Sequence, residues 1–304
     1  MERRKGVIYA VITAGLWGFL AIALKVASRY VDSVTIVWFR FTLAFSILFV
    51  YHLIKRPGEL KILVRPPVTL VIAAVALTWN YVGFMLGIEY TTPANTQIIV
   101  QMGPITLALI GIIFFREKMN LSQMIGFGLT IIGLIFFYHN QLKLIFGAEA
   151  AYNKGFIFTL SAAFSWAVYG TLQKKLVTKY STSSLNLFIY GVPVILLFPF
   201  AHPETLAHLD WGWWILMVAL GLNTLIAYGS VALALKYLEA SRVSIILVMN
   251  PIITFITMAI LGYLEVSWIA AEKFSAATVL GALIVLIGAV MVIRKKRNPS
   301  SVSE

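Results

Sequence analysis

The stretch EYTTPANTQIIVQMGPI at residues 89–105 has a counterpart in KYLEASRVSIILVMNPI at residues 236–252. In both stretches a tyrosine precedes the proline, Pro104 or Pro251, by 14 residues. A proline within an apolar helix removes one backbone hydrogen bond and bends the helix. The two stretches therefore predict equivalent, interrupted helices in two related halves of the chain.

Further matched spacings favour a duplication. The matched positions are Gly6 and Gly155, Trp17 and Trp166, Glu117 and Glu265, Gly126 and Gly281, and Gly133 and Gly288. The glycine-to-tryptophan spacing is 11 residues in both halves, and the spacing of the later glycines is seven in both. Self-similarity of this kind predicts two halves of five helices each. A chance likeness between apolar helices is the alternative.

Composition decides the class of protein. Of the 304 residues, 60% are hydrophobic and 12% are charged, and the mean hydropathy is +0.90. A soluble domain of this length cannot bury so many apolar side chains, so we predict an all-α polytopic membrane protein. A membrane barrel is excluded because the apolar residues run continuously and do not alternate. The chain has no cysteine, which excludes disulfides and thiolate chemistry.

Ten apolar segments are predicted to be transmembrane helices. They lie at about residues 6–27, 33–54, 67–88, 93–115, 121–138, 155–173, 183–201, 211–234, 240–263 and 275–293. The predicted organisation is a first five-helix repeat at 1–138, an external loop at 139–154, a second repeat at 155–293 and a cytoplasmic tail at 294–304. Because five is odd, the second half must enter the membrane from the opposite side. Such an inverted-topology repeat is typical of secondary transporters.

The distribution of basic residues predicts the orientation. With the N-terminus inside, 18 of the 24 lysines and arginines fall in cytoplasmic segments and five fall outside. Lysine and arginine concentrate on the cytoplasmic side of a membrane, so both termini should be cytoplasmic in a multi-pass protein of the cell membrane. This orientation also explains the net charge of +12, so we expect no nucleic-acid partner.

Motifs for catalysis are absent from the sequence. There is no GxxxxGK[ST] run for phosphates, and there is no HExxH or GxSxG. The two aspartates, Asp32 and Asp210, lie at predicted surfaces, and the four histidines lie at helix ends or in loops. We therefore predict no enzyme, no cofactor and no metal site, although a lipid-modifying enzyme or a scaffold stays open as a less favoured class.

Several short motifs carry a family resemblance. They are Leu16-Trp17-Gly18, Trp38-Phe39-Arg40-Phe41, and the proline helices with their trailing glutamates. On these residues the chain resembles the drug/metabolite transporter superfamily, in its EamA-like ten-helix branch, over about residues 6–293. One departure is Ser165-Trp166-Ala167, which lacks the glycine after tryptophan. The resemblance implies a central cavity lined by helices 1–4 and 6–9, with helices 5 and 10 peripheral. It also implies small polar metabolites or amino acids, usually exported.

Arg40 is the most informative single residue. It lies about seven residues, or roughly 10 Å, into the second helix, where an unpaired charge is costly. We interpret it as a contact for a substrate carboxylate at the mouth of a polar cavity. Snorkelling to the headgroups, or an ion pair with Glu89 or Asp32, is the structural alternative.

Polar side chains precede both prolines. Gln97 and Gln101 are one turn apart before Pro104, and Ser244 and Asn250 precede Pro251. We predict that these four residues face one cavity, with hydrogen bonding between helices as the equal alternative. Two further asparagines, Asn80 and Asn223, are also deep enough to face a cavity.

Deep aromatic residues complete the candidate set, because their rings can stack on a substrate or hold an organic cation. Core packing is equally compatible with each ring. The candidate substrate-binding residues are Trp17, Arg40, Asn80, Tyr81, Gln97, Gln101, Trp166, Tyr169, Tyr190, Asn223, Tyr228, Ser244 and Asn250, with Pro104 and Pro251 as helix breaks. Trp79 is a further deep aromatic residue.

The sequence thus predicts a secondary transporter that exports small organic metabolites such as amino acids by alternating access. An organic-cation or drug carrier is the alternative. The expected partners are a small-molecule metabolite and the lipid bilayer. The sequence leaves open whether a proton is coupled and whether the protein is a monomer or a homodimer.

Overall fold

The computed structural model describes residues 2–91, 96–97, 99–137, 139, 150–266 and 275–293. Its main helices are α1 (Glu2–Ala27), α2 (Ser33–Lys55), α3 (Val68–Tyr90), α4 (Met102–Ile113), α5 (Leu121–Phe137), α6 (Ala150–Leu176), α7 (Thr182–Leu197), α8 (Trp211–Tyr237), α9a (Ala240–Leu247), α9b (Asn250–Tyr263) and α10 (Ala276–Ile293). Short helical turns at Pro57–Leu60, Lys61–Val64, Phe198–Phe200 and Pro203–His208 lie in the connections that follow α2 and α7. These residues include no β-strand.

Each predicted apolar segment contains a helix, and the first and sixth helices begin several residues earlier than predicted. The first helix begins at Glu2 and not at residue 6, because glutamate and arginine are good helix formers outside the membrane as well. The sixth begins at Ala150, so the last five residues of the predicted 139–154 loop are helical. Residues 140–149 of that loop and the predicted tail at 294–304 lie outside the described residues.

Seven helical segments in the described part of the chain are long and apolar enough to cross a membrane. They are α1, α2, α3, α6, α7, α8 and the α9a–α9b segment, while α4, α5 and α10 are shorter apolar helices. Large apolar side chains such as Ile195 and Leu283 are exposed on the outer surface. Lipid accommodates such a surface and water does not. The chain is an all-α polytopic membrane protein.

Contacts between helix ends define two ends of the molecule. At one, named here the basic end, Gly6 of α1 packs against Tyr237 and Leu238 at the end of α8. The Ser181 hydroxyl, which caps α7, donates to Glu59 after α2 at the same end. The basic clusters at residues 3–5, 55–65, 116–118, 174–179 and 236–242 all lie there.

The opposite end is where α1, α3 and α7 finish and α2, α6 and α8 begin. There the His202 backbone N–H donates to the Thr35 hydroxyl at 2.7 Å, and the Ser33 hydroxyl donates to Glu89 at 3.5 Å. Only a few basic side chains, such as Lys25, lie at this end within the described residues.

Glu59 joins the two halves at the basic end. Its Oε2 accepts from Ser181 at 2.5 Å and lies 3.4 Å from Nε2 of His52, and its Oε1 accepts from Arg56 at 3.2 Å. Partial burial raises the pKa of this carboxyl, but the hydrogen bonds from Ser181 and Arg56 outweigh burial. The pKa of Glu59 therefore lies below its ordinary value.

The crossing of α1 with α8 resembles the crossing of α6 with α3. The ring of Tyr9 stacks on Tyr237 at 6.4 Å between centroids and 17° between planes. The ring of Phe158 stacks on Tyr90 at 5.9 Å and 19°. Gly6 packs closely on α8, and Gly155 packs in the same way on α3: a Cβ added to Gly155 would lie 2.9 Å from Cβ of Tyr90. The same local contact therefore occurs once at each end of the molecule.

Glycines bring α5 and α10 into backbone contact. A Cβ on Gly126 would lie 2.7 Å from the Gly288 carbonyl oxygen, and one on Gly133 would lie 2.9 Å from that of Gly281. The approach is closest at Gly281, where an added Cβ would lie 2.2 Å from the backbone nitrogen of Phe137. Small residues permit such close helix packing in membranes.

We expect Gly281→Ala to destabilise the protein by about 1–3 kcal/mol, because the new methyl group meets backbone and not a flexible side chain. Gly128→Ala on α5 is the matched control, because a Cβ added at Gly128 would meet no packed atom within 4 Å. The melting temperature of the detergent-solubilised variants measures the effect. Equal melting temperatures for the two variants would contradict the proposed packing of α5 on α10.

Candidate functional site

Both proline helices are interrupted near the middle of the molecule. Pro104 lacks an N–H, and its ring crowds the carbonyl of Val100, four residues earlier. Val100 and Gln101 accordingly form a turn before α4, in which the Gly103 N–H donates to Val100 at 3.0 Å. Pro251 produces the same result, because a two-residue turn separates α9a from α9b.

A cavity with about 640 Å³ of empty space, its mouth included, lies beside the two breaks. Its walls are formed by Trp17, Leu20, Ala21, Arg40, Asn80, Tyr81, Phe84, Gln97, Val100, Gln101, Pro104, Trp166, Tyr228 and Asn250. The first half supplies most of the lining, and its contributions come from the part of each helix nearer the opposite end. The second half supplies one residue each from α6, α8 and α9b.

The structure brings most of the predicted site residues together. Those in the cavity wall are Trp17, Arg40, Asn80, Tyr81, Gln97, Gln101, Trp166, Tyr228, Asn250 and the helix-break residue Pro104. Those outside the wall are Tyr169, Tyr190, Asn223, Ser244 and Pro251. Ser244, the fourth polar residue of the predicted shared cavity, is fully buried on α9a in packed protein and does not line the cavity described.

Arg40 is buried in the cavity wall with 1% of its surface exposed. Its Nε donates to the Thr224 hydroxyl at 3.0 Å, and its Cζ lies 4.6 Å from the centroid of the Tyr81 ring. Its Nη2 has no hydrogen-bond partner among the described residues. This placement leaves a guanidinium N–H group without a protein partner in the described part of the cavity wall.

The predicted alternatives for Arg40 are not observed. Glu89 lies exposed at the end of α3, where it accepts from Ser33, and Asp32 accepts from the Thr35 N–H at 2.9 Å as the cap of α2. No carboxylate of the described residues forms an ion pair with Arg40. Both carboxylates stay with local partners because helix ends supply unpaired backbone and hydroxyl donors.

The amides connect helices and also line the cavity. Gln101 Nε2 donates to the Gln97 carbonyl at 3.0 Å and to Asn250 Oδ1 at 3.4 Å, which joins the two broken helices. Gln101 Oε1 has no partner within the described residues. Asn80 donates to the Ala162 carbonyl at 2.9 Å, so it holds α3 to α6 while facing the cavity.

Asn223 and Tyr190 act between helices. The Asn223 amide donates to the Leu16 carbonyl at 3.0 Å and holds α8 to α1. The Tyr190 hydroxyl donates to the carbonyl of Leu225 at 3.4 Å and holds α7 to α8. Neither side chain lines the cavity described, because each is directed to a carbonyl of a neighbouring helix.

Aromatic rings form one wall of the cavity. Trp17 meets Trp166 edge to face at 5.9 Å and Tyr228 at 5.3 Å, and Tyr228 meets Tyr81 at 5.5 Å. Trp79, by contrast, is 41% exposed on the outer surface and donates to Ser161. The wall thus offers ring faces and edges close to the Arg40 guanidinium.

The sequence prediction missed Thr224, which holds Arg40, and the apolar wall residues Leu20 and Phe84. Thr224 gave little signal because threonine in a helix usually bonds to its own backbone, as this one does to the Leu220 carbonyl. It also missed that Glu117 binds the start of α9a and that Lys174 binds the end of α8, although Glu117 was noted as a motif residue.

Membrane helices that break at mid-depth beside a polar and aromatic cavity are the arrangement of a membrane transporter. The model of the EamA-like transporter family matches residues 4–139 and again residues 153–294. The chain belongs to this family of transporters and is not an enzyme.

Relatives in bacteria and archaea agree with this assignment. The chain is 30% identical over 287 residues to an uncharacterized inner membrane transporter, YhbE, of Escherichia coli (strain K12), covering 93% of the chain and 89% of the relative. It is 31% identical to an uncharacterized transporter of Haemophilus influenzae, with 94% of each covered. A crystal structure that is 16% identical superposes with a TM-score of 0.73 over 95% of this chain and 97% of that one. The last similarity concerns the fold alone.

Asn80 and Asn223 should respond differently to replacement by leucine. Each variant loses one hydrogen bond between helices, so both should lose about 0.6–2 kcal/mol of stability. Only Asn80→Leu also changes the cavity wall, so only it should weaken solute binding. Melting temperature and solute affinity on the same preparations test this. An equal loss of affinity in both variants would contradict the placement of Asn223.

Proposed function

We propose that this transporter exports small organic metabolites that carry a carboxylate, such as amino acids, by alternating access. The proposal rests mainly on the buried guanidinium of Arg40, whose Nη2 lacks a hydrogen-bond partner among the described residues. An uncompensated charge inside a membrane protein is costly. A substrate carboxylate would accept hydrogen bonds from Arg40 and neutralise it.

The remainder of the cavity suits the other parts of an amino acid. Gln101 Oε1 is an acceptor without a partner in the described structure, and it fits an ammonium group. The ring faces of Trp17, Trp166 and Tyr228 also attract a cation, and their edges suit an apolar side chain.

An organic-cation carrier is the second candidate, and the aromatic wall favours it. Arg40 opposes it, because a cationic solute would share the cavity with the guanidinium. The described lining contains no aspartate or glutamate to offset that repulsion. A carboxylated solute therefore suits the cavity better than a simple cation.

We further propose that the basic end is cytoplasmic and that the two halves are inverted repeats. Lysine and arginine concentrate on the cytoplasmic side. The start of α1 lies at the basic end and the start of α6 at the opposite end, as inversion requires. The paired ring contacts of Tyr9 with Tyr237 and of Phe158 with Tyr90 favour the same relation. In this orientation the cavity extends toward the outside.

No aspartate, glutamate or histidine lines the cavity in the described part of the chain. A proton carried by the binding site itself would need such a group, because these side chains titrate most readily. Facilitated diffusion or exchange is therefore as compatible with this site as proton antiport is.

Replacing Arg40 tests the substrate class. Arg40→Met should lower the affinity for carboxylated solutes on the order of 100-fold or more, because a buried charge pair is lost. Arg40→Lys keeps the charge but loses the two-pronged geometry, so we expect an intermediate loss. Flux of a metabolite panel into proteoliposomes, with and without a pH gradient, is the measurement.

Thr224→Val is the milder companion variant, since it removes only the hydroxyl that accepts from Arg40 Nε. It should weaken binding of carboxylated solutes less than Arg40→Met does. Melting temperatures show whether each variant folds. Folded Arg40→Met that transports carboxylated solutes with unchanged affinity would refute the binding role.

Single cysteines test the orientation, because the chain has none of its own. Lys118 is exposed at the basic end and Ala207 at the opposite end. A membrane-impermeant maleimide added to intact cells should label Ala207→Cys and spare Lys118→Cys. Labelling of Lys118→Cys alone would reverse the proposed topology.

A further inference from the structure

Two predicted site residues are buried outside the cavity with polar atoms that lack partners. Tyr169 and Ser244 are both 0% exposed. The Tyr169 hydroxyl and Ser244 Oγ have no hydrogen-bond partner among the described residues. A buried polar group without a partner is costly, so it requires an explanation.

The matched spacings of the two halves give one. The 147-residue offset between the proline stretches makes Ser244 the counterpart of Gln97, and the 149-residue offset between the tryptophans makes Tyr169 the counterpart of Leu20. Gln97 and Leu20 both line the cavity. The counterparts in the second half are packed away from it, although their positions are equivalent.

The structure also has a clamp at the basic end, consisting of Glu117 and Lys174 on the corner between α8 and α9a. Glu117 accepts from the N–H groups of Ala240 and Ser241 at 2.7 and 3.0 Å, and from the Ser241 hydroxyl at 2.7 Å. These are the unpaired donors at the start of α9a, where a negative charge is favourable.

Lys174 completes the clamp from α6. Its Nζ donates to the Leu235 carbonyl at 2.8 Å and to the Leu238 carbonyl, at the end of α8, where a positive charge is favourable. Lys25 is its counterpart by the same 149-residue offset, at the opposite end. Within the described residues, Lys25 donates to no helix terminus. Within the described residues, the lysine contact of the clamp is thus found at the basic end and has no counterpart at Lys25.

Both partnerless hydroxyls lie deeper than the clamp, on α6 and α9a, two helices that take part in it. Ser244 follows Ser241 by three residues, so it lies one turn deeper on the same face of α9a. Tyr169 precedes Lys174 by five residues, which is roughly 7.5 Å along α6. Opening this corner would uncover both side chains together.

We propose that Tyr169 and Ser244 form a second half-site, which lines the cavity when it opens at the basic end and which the Glu117–Lys174 clamp seals in the conformation described. The inference rests on the proposed alternating-access transport. In the other conformation, substrate or water hydrogen-bonds to both hydroxyls, and the first-half counterparts Gln97 and Leu20 become packed. The corner clamp is then a switch between the two openings.

Thiol accessibility tests the proposal in the full-length protein. Single variants Ser244→Cys and Gln97→Cys are placed in right-side-out and inside-out membrane vesicles, and their reaction with an impermeant methanethiosulfonate is timed. Ser244→Cys should react only from the face that labels Lys118→Cys, and Gln97→Cys only from the other face. Thr130→Cys, buried between α5 and α10, is the matched control and should not react from either face.

Weakening the clamp should shift the balance between the openings. Adding Glu117→Gln to each cysteine variant should speed labelling of Ser244→Cys several-fold and slow that of Gln97→Cys, while Thr130→Cys stays unreactive. Reaction of Thr130→Cys would show general loosening and would count against the clamp. If Ser244→Cys does not fold, Tyr169→Cys serves in its place with the same expectation.

The outcomes separate this inference from the proposed function. Ser244→Cys that stays as unreactive as Thr130→Cys, with and without Glu117→Gln, would overturn the second half-site even where Arg40-dependent flux is present. Labelling of Ser244→Cys from the same face as Gln97→Cys would overturn it too. Absence of flux for every carboxylated solute, with normal two-sided labelling, would overturn the proposed substrate class and leave the half-site supported.

Discussion

Pro104 and Pro251 each remove a backbone N–H from a helix at mid-depth, where lipid offers no replacement for the lost hydrogen bond. Irregular backbone is stable there only against protein or a hydrated cavity. The surroundings of the two breaks meet this requirement. Gln101 donates both to the Gln97 carbonyl and to Asn250 beside the second break, so one amide joins both interruptions. The cavity lies against the same residues, which makes the site a consequence of the broken helices.

Much of the fold could be predicted from the sequence because membrane helices are governed by few terms. Length and apolar composition located the helices, and the matched glycines near the end of each half lie where α5 approaches α10 closely. The proline pair located the centre of the molecule. Arg40 could be placed because a charge at that depth has few acceptable surroundings. Each of these inferences needed only the depth of a residue and not the direction of its side chain.

Side-chain direction is what the sequence could not give. A soluble helix shows its buried face by its apolar stripe, but a membrane helix is apolar all round. Depth alone therefore could not separate Asn80, which faces the cavity, from Asn223, which bonds to α1. The same ambiguity placed Trp79 in the interior, although it is exposed on the outer surface. Thr224 escaped notice because its type and depth are ordinary, and its importance comes from lying beside Arg40.

The two halves carry different chemistry at matched positions, and this difference has an energetic consequence for the proposed cycle. At the opposite end the substrate would meet Leu20 and Gln97, and at the basic end Tyr169 and Ser244. A ligand shifts a conformational equilibrium only by the difference between its affinities for the two states. A solute that hydrogen-bonds better to hydroxyls would favour the opening at the basic end, whereas one that pairs with an amide and an alkyl surface would favour the other. Solute gradients set the direction of net flux, so the asymmetry of the two half-sites acts instead on the affinity at each face of the membrane.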